Sequence, residues 1–182
     1  MDIRLTNVRL SFPVLWEPKE YKVGDGNPRF SATLLIEPGS ENDQKIREAI
    51  RQAAEEKYGK KAEANLKQWA GNSQRYCYLD GNSKDYEGYE GRWYLACHSR
   101  TRPTLVDRDR TRLVEEDGKL YGGCYVNAMV SIYAQAGENP GIRASFTGLQ
   151  FAGKGDAFGG GKPADPDDFE DLGQGADAES MV

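Results

Sequence analysis

The twenty residues from Pro163 to Val182 limit what this chain can fold. They carry seven acids (Asp165, Asp167, Asp168, Glu170, Asp171, Asp177, Glu179) and no base, among Gly, Pro, Ala and a few apolar residues. Such a segment cannot bury enough surface to offset the entropy of ordering it. It is expected to be disordered. The foldable unit is then residues 1–158, followed by an acidic tail at 159–182. A body of about 160 residues is large enough to bury a core without staples.

Removing the tail also changes the electrostatics. The whole chain has net charge −5, but residues 1–162 hold 24 bases against 22 acids. The body is mildly cationic, and a patch on it can be strongly so. No run of 18 apolar residues occurs, so no membrane span is expected. MDIRLTNVRLSF lacks the apolar stretch of a signal peptide, which makes the cytoplasm the expected compartment.

The body reads as mainly β. Residues 2–15 predict a strand, stopped by Pro13 and Pro18, and a loop follows with Gly24, Gly26 and Pro28. RFSATLLI at 29–36 predicts a second strand, ended by Pro38-Gly39. Ser40 is a good N-cap, with Asp43 in the capping-box position. Ile46, Ile50, Ala53, Ala54 and Tyr58 recur at helical spacing up to Gly59. A second short helix at 61–70 would bury Leu66 and Trp69. Further strands are expected at 74–79, 92–98, 104–106, 124–135 and 142–151. Six or seven strands, a helical excursion and Gly-rich turns suggest a closed or nearly closed antiparallel barrel, with a sandwich as the alternative.

Little in the sequence provides for catalysis. There is one histidine, His98, and no Gly-Lys-Ser/Thr phosphate loop. Cys77, Cys97, His98 and Cys124 form a conceivable zinc set, but no C-x-x-C pair exists. Adjacent strand residues such as Cys97 and His98 also point to opposite faces. Core thiols are the expected reading, with no metal, no cofactor and no enzymatic activity.

Basic and aromatic residues are more informative. Arg100, Arg102, Arg108, Arg110 and Arg112 fall within thirteen residues, partly neutralised by Asp107 and Asp109. The run is either a solvated, salt-bridged loop or a set of phosphate contacts, since guanidinium forks suit phosphate oxygens. Rings occur nearby at Tyr76, Tyr78, Tyr86, Tyr89, Trp93, Tyr94, Tyr121 and Tyr125. Core packing accounts for most rings of this kind. Exposed ones beside arginines suit sequence-tolerant binding of single strands, where bases stack on rings for about 1–3 kcal/mol each. The candidate DNA-contacting rings are Trp93, Tyr76, Tyr78, Tyr89, Tyr121 and Tyr125. In the tail, Asp167, Asp168, Phe169, Glu170, Asp171 and Leu172 form an acidic peptide with embedded apolar residues, as apt for docking a partner as for solvation.

TNVRLSFPVLWEP at 6–18, YEGRWYLACHSRTRPTLVDRD at 89–109, LYGGCYVNAMVSIYA at 120–134 and GLQFAGKGDAFGGG at 148–161, followed by an acidic tail, form an ordered set. In that order the chain resembles the single-stranded DNA-binding proteins of tailed phages, the OB-fold kind with acidic C-terminal tails. The resemblance implies an OB-fold-like barrel that coats single-stranded DNA in replication, recombination or repair. It also implies a tail that contacts phage or host replication proteins and competes with DNA for the basic groove. The common OB order places the helix after the third strand, whereas here it follows the second predicted one. A homodimer is a further expectation. The alternative function is a protein–protein interaction module acting through the tail, and a nuclease would need an acid or metal cluster that the sequence does not offer.

Overall fold

The computed structural model describes residues 1–159, 166–173 and 175. Seven strands form one sheet: β1 (Asp2–Lys19), β2 (Arg29–Ile36), β3 (Tyr78–Asp80), β4 (Trp93–Ser99), β5 (Thr104–Val106), β6 (Tyr125–Gln135) and β7 (Gly141–Gly153). Two helices, α1 (Glu41–Tyr58) and α2 (Ala62–Trp69), lie between β2 and β3. The strand order is β3-β4-β2-β1-β6-β7-β5.

The fold is mainly β, as expected, and differs in detail. Every neighbouring pair is antiparallel except β5 and β7, which run parallel. The sheet curls but is not closed by a ladder. The segment before β3 approaches β7 at an isolated bridge between Tyr76 and Ile142, where the Ile142 N–H donates to the Arg75 carbonyl at 2.8 Å. The 74–79 segment pairs as a strand only from Tyr78 onward. No strand lies in 20–28, so the helix does follow the second strand.

β1 passes both prolines because neither occupies a paired position. Its register with β2 steps from Ser11 to Val14 and from Val14 to Lys19, so no ladder N–H is missing. Bulges also explain why the alternation of β1 blurs. Leu5 and Val8 are three residues apart, yet both are buried. The register with β6 shifts between them, and Asn7 takes a positive φ of 54°. An extra residue in one strand restores the inward phase. The same device in β7 turns both Phe146 and Leu149 inward, across a register shift opposite Met129 and Val130.

In α1, Ile46, Ala49, Ile50, Ala53 and Ala54 form the buried stripe that packs into the curl of the sheet. The Ser40 hydroxyl accepts from the Asp43 N–H at 3.2 Å, as a cap should. The Asp43 carboxylate accepts instead from the Gly39 N–H at 2.9 Å, the Tyr78 hydroxyl at 2.6 Å and Arg47 Nε at 2.9 Å. Burial pushes its pKa up, but these donors outweigh burial and hold it below the usual carboxylate value. α2 buries Trp69 and leaves Leu66 partly covered. No described helix is long and apolar enough to cross a membrane.

Candidate nucleic-acid interface

Alternation along β1, β6 and β7 sends one set of side chains to the core and the other to an open face. On β6 the inward set is Val126, Ala128, Val130 and Ile132, and the outward set is Tyr125, Asn127, Met129, Ser131 and Tyr133. Cross-strand neighbours extend each outward row. Met129 lies between Arg4 of β1 and Gly148 of β7, Asn127 lies beside Gln150, and Tyr133 lies beside Arg143. Tyr125 pairs with Arg9, whose guanidinium lies 5.8 Å from its ring centroid. Met129 and Tyr133 are 45% and 44% exposed.

A groove of about 510 Å³ runs over this face, lined among others by Arg4, Thr104, Arg110, Asn127, Met129 and Gln150. The turn after β5 forms one wall. Asp107 pairs with Lys119, and Asp109 accepts from the Thr111 N–H at 2.9 Å. Hydrogen bonds from Lys119 and from the Thr111 amide hold the two carboxyls below their ordinary pKa. Both acids are therefore engaged in folding the turn. Gln150 fastens the turn to the groove floor by donating to the Arg108 carbonyl at 3.1 Å. Arg110 sits at the apex with φ 71°, exposed and without an ion pair among the described residues. Arg4 is likewise exposed and without a described ion pair. The groove thus presents guanidinium groups beside a thioether and amide side chains, a mixture able to hold phosphates at its walls and bases on its floor.

The sequence-predicted residues divide sharply. Arg110 lines the groove and Arg108 borders it, donating to the Ala152 carbonyl. Arg112 is exposed on the returning limb of the turn, bridged to Val106. Arg100 and Arg102 stand elsewhere, on the connection from β4 to β5, with Arg102 5.5 Å from the Phe30 ring centroid. Of the rings, only Tyr125 stands on the outward face. Tyr78 and Tyr89 are corrected to core residues, each 2% exposed. Their hydroxyls donate to Asp43 at 2.6 Å and Ser11 Oγ at 2.9 Å, so neither can stack on a base. Trp93 is half-buried between Tyr78 and Arg47, at 5.5 and 4.7 Å. Tyr76 lies half-buried at its bridge to Ile142, where burial raises its phenol to about 12. The half-buried Tyr121 donates its hydroxyl to the Gly155 carbonyl at 2.8 Å.

Sequence reasoning missed Arg4, Met129 and Tyr133. Their signal was present in the strand period that puts 125, 127, 129, 131 and 133 on one face. The three cysteines are buried free thiols, with Cys77 raised to about 12 by burial. His98 stands exposed on β4, with its pKa lowered by partial desolvation first, then by the nearby Arg29 and Arg143.

A second concavity lies on the other side of Arg9. Phe12 occupies the second bulge of β1 with φ 45°, a conformation rare for a bulky residue, and is 58% exposed. Its ring meets Tyr86 edge-on at 4.9 Å. Phe158 packs against Gly88, whose absent Cβ would lie 2.5 Å from that ring. Phe12, Tyr86 and Phe158, with Pro13, Asp85 and Glu87, line a cleft of about 370 Å³. Arg9 packs against the Phe158 ring. It donates to the Gly123 and Asp156 carbonyls at 2.9 and 2.7 Å and lies 4.3 Å from the Phe158 ring centroid. Neither Phe12 nor Phe158 was signalled by pattern, because their exposure depends on the bulge and on the path of the chain after β7.

The family model described as Enterobacter phage Enc34, ssDNA-binding protein, matches residues 1–181. The chain belongs to that family. A solved structure of the single-stranded DNA-binding protein from bacteriophage Enc34 in complex with ssDNA is similar over 87% of this chain and 89% of that one. Its sequence identity is 25% and its TM-score 0.72. Protein p50 of Acyrthosiphon pisum secondary endosymbiont phage 1 is 40% identical over 185 residues, covering 100% of both chains. The gp2.5 single-stranded DNA-binding protein of bacteriophage T7 shares the fold, with TM-score 0.56 at 14% identity over 97% of this chain and 100% of that one.

In the acidic tail of this Enc34-family chain, Pro166–Asp168 makes one 3-10 turn, and residues 166–173 are exposed. Phe169 and Leu172 are 71% and 91% exposed. The expectation of disorder falls mainly on 160–165, 174 and 176–182, which lie outside the described residues.

Proposed function

We propose that this phage protein binds single-stranded DNA stoichiometrically along the face of β5, β7, β6 and β1, and coats it in replication, recombination or repair. One observation carries the reading: a member of an ssDNA-binding family has Arg4 and Arg110 flanking an exposed Met129 in an open groove. Phosphates would contact the two arginines, with Arg108 and Arg112 close by. Bases would rest on Met129, Tyr125 and Tyr133. No bond is made or broken in this role.

The acidic tail supports a second part of the proposal. Its formal charge of −7 lets it act as a tethered mimic of DNA at the basic groove. Bound DNA would displace it and free Phe169 and Leu172 for phage or host replication proteins. The body at 1–158 is the binding domain, and 159–182 the regulatory segment.

The test is anisotropy of labelled oligo(dT) and matched duplex with full-length protein at two salt concentrations. The tryptophans serve less well as reporters, since none lines the groove. Salt-sensitive binding that favours oligo(dT) is expected, with a log–log slope of about −0.7 per phosphate neutralised. No binding at low salt, with or without the tail, would overturn the reading. Deleting 163–182 should tighten binding severalfold at low salt, and an unchanged affinity would remove the tail's competitive role.

A further inference from the structure

The 370 Å³ cleft does not suit the ligand proposed for the groove. Its lining combines the apolar Phe12, Pro13, Tyr86 and Phe158 with the carboxylates of Asp85 and Glu87, the latter also accepting from the Gly159 N–H at 3.2 Å. Those carboxylates would repel phosphates and the acidic tail alike. The complementary ligand is a short segment that presents an aromatic or aliphatic side chain next to a cation.

Such a segment exists in the chain itself. The turn joining β1 to β2 carries Tyr21 and Val23, 81% and 104% exposed, with Lys22 between them and Lys19 at its base. The turn is well organised. Glu20 accepts from the Gly24 and Gly26 N–H groups at 2.8 and 2.9 Å, and Asp25 accepts from the Asn27 N–H at 2.8 Å. Its acids thus face its own backbone. Lys19 and Lys22 have no ion pair among the described residues. Two large exposed side chains on an ordered turn have no role within the monomer.

The tip does not occupy the cleft of its own chain: Tyr21 and Val23 are exposed, and neither lines it. We propose that the Tyr21-Lys22-Val23 tip of one copy seats in the Phe12–Tyr86–Phe158 cleft of a second copy, its lysines facing Asp85 and Glu87. Tip and cleft are different surfaces, so the contact is heterologous. Unless the rotation closes, it repeats into a row rather than a dimer. Its area is small beside the roughly 1,200–2,000 Å² of a stable interface. The contact is therefore weak in free solution and strengthens when neighbouring copies share one strand, which raises their effective concentration.

Two experiments test this, the first without DNA and hence independent of the ssDNA reading. Full-length Tyr21→Cys and Tyr86→Cys proteins are mixed and treated with a short bis-maleimide; the native thiols are buried. A cross-linked dimer is expected from the mixture, at a yield well above either variant alone, and suppressed by Asp85→Lys/Glu87→Lys in the cleft partner. Equal yields in all samples would overturn the proposal. The second experiment compares Tyr21→Ser/Val23→Ser with wild type on an oligo(dT) that holds one copy and on one that holds many. Cooperativity on the long strand should fall roughly tenfold, the effect of losing about 1.4 kcal/mol, with the short strand unaffected. An equal loss on both lengths would assign the tip to DNA instead of a second copy.

Discussion

The two concavities of this molecule are made the same way and differ in where their acids point. Each lies beside a bulge, at Thr147–Gly148 for the groove and at Phe12 for the cleft, and Arg9 stands between them. In the groove the nearest carboxylates, Asp107 and Asp109, turn back onto Lys119 and the Thr111 amide, so arginines meet solvent. In the cleft Glu87 accepts from the Gly159 N–H at 3.2 Å, and neither Asp85 nor Glu87 has an ion pair among the described residues. Net charge conceals this, since both surfaces belong to a body near neutrality. The sign of each opening follows from which charged side chains line it, arginines in the groove and carboxylates in the cleft.

The largest expected effect breaks the comparison at the groove. Arg4→Glu/Arg110→Glu should weaken oligo(dT) binding about 100-fold at low salt and lower the salt slope by about 1.4, two phosphates' worth. The same reversal of sign in the cleft, Asp85→Lys/Glu87→Lys, should leave that slope unchanged. Salt titrations of both variants by anisotropy check the pair, and equal effects would merge the two sites into one. Next in size is Gly88→Ala. Gly88 has φ 86° and leaves room for Phe158, so a methyl group there meets both backbone strain and the ring. A stability loss of about 2–3 kcal/mol is expected in urea unfolding, with oligonucleotide affinity little changed.

Much of this frame was legible in the sequence because it follows from period and punctuation. The α1 stripe, the Ser40 cap, β2 and β5 are local features, and they lie where the pattern puts them. The aromatic assignments were not local. Tyr78 and Trp93 look like surface rings beside charged residues, yet Arg47 and Asp43 of α1 come from more than thirty residues away to enclose them. Tyr89 is buried because the 80–91 loop folds over the outward side of Leu35 and Tyr94, giving that part of the sheet a second small core. The arginine run was read as one feature, but β5 pairs with β7 in its middle and leaves Arg100 and Arg102 on one side and Arg108 and Arg110 on the other. Contacts distant in sequence decide such placements, and composition carries little trace of them.

A change outside both openings supplies a baseline for the comparison. Asp43 is ionised near neutral pH, with its folded pKa below the ordinary value. Its contribution is therefore complete above that ordinary value of 3.8 and is lost as pH falls through the folded pKa. Asp43→Asn should cost about 1–2 kcal/mol at pH 7 and flatten the acid limb of stability below pH 4. Urea unfolding across pH measures this. Neither cross-linking nor DNA affinity should change, which separates lost stability from lost recognition.

The smallest effect compares a ring of the outward sheet face with a ring of the cleft. Tyr133 stands beside Arg143 on the basic face and Tyr86 stands in the cleft, and the two are about equally exposed, at 44% and 49%. Similar exposure makes the surface loss similar, so any difference must come from what each ring faces. Tyr133→Ser should cost about 1 kcal/mol of oligo(dT) affinity, roughly fivefold, through one lost stacking surface. Tyr86→Ser should leave affinity for a one-copy strand unchanged and lower cooperativity on a long one. If instead Tyr86→Ser weakened short-strand binding and Tyr133→Ser did not, the strand would run through the cleft. The cleft carboxylates would then have to act on base edges as acceptors of amino groups, and oligo(dC) would be favoured over oligo(dT).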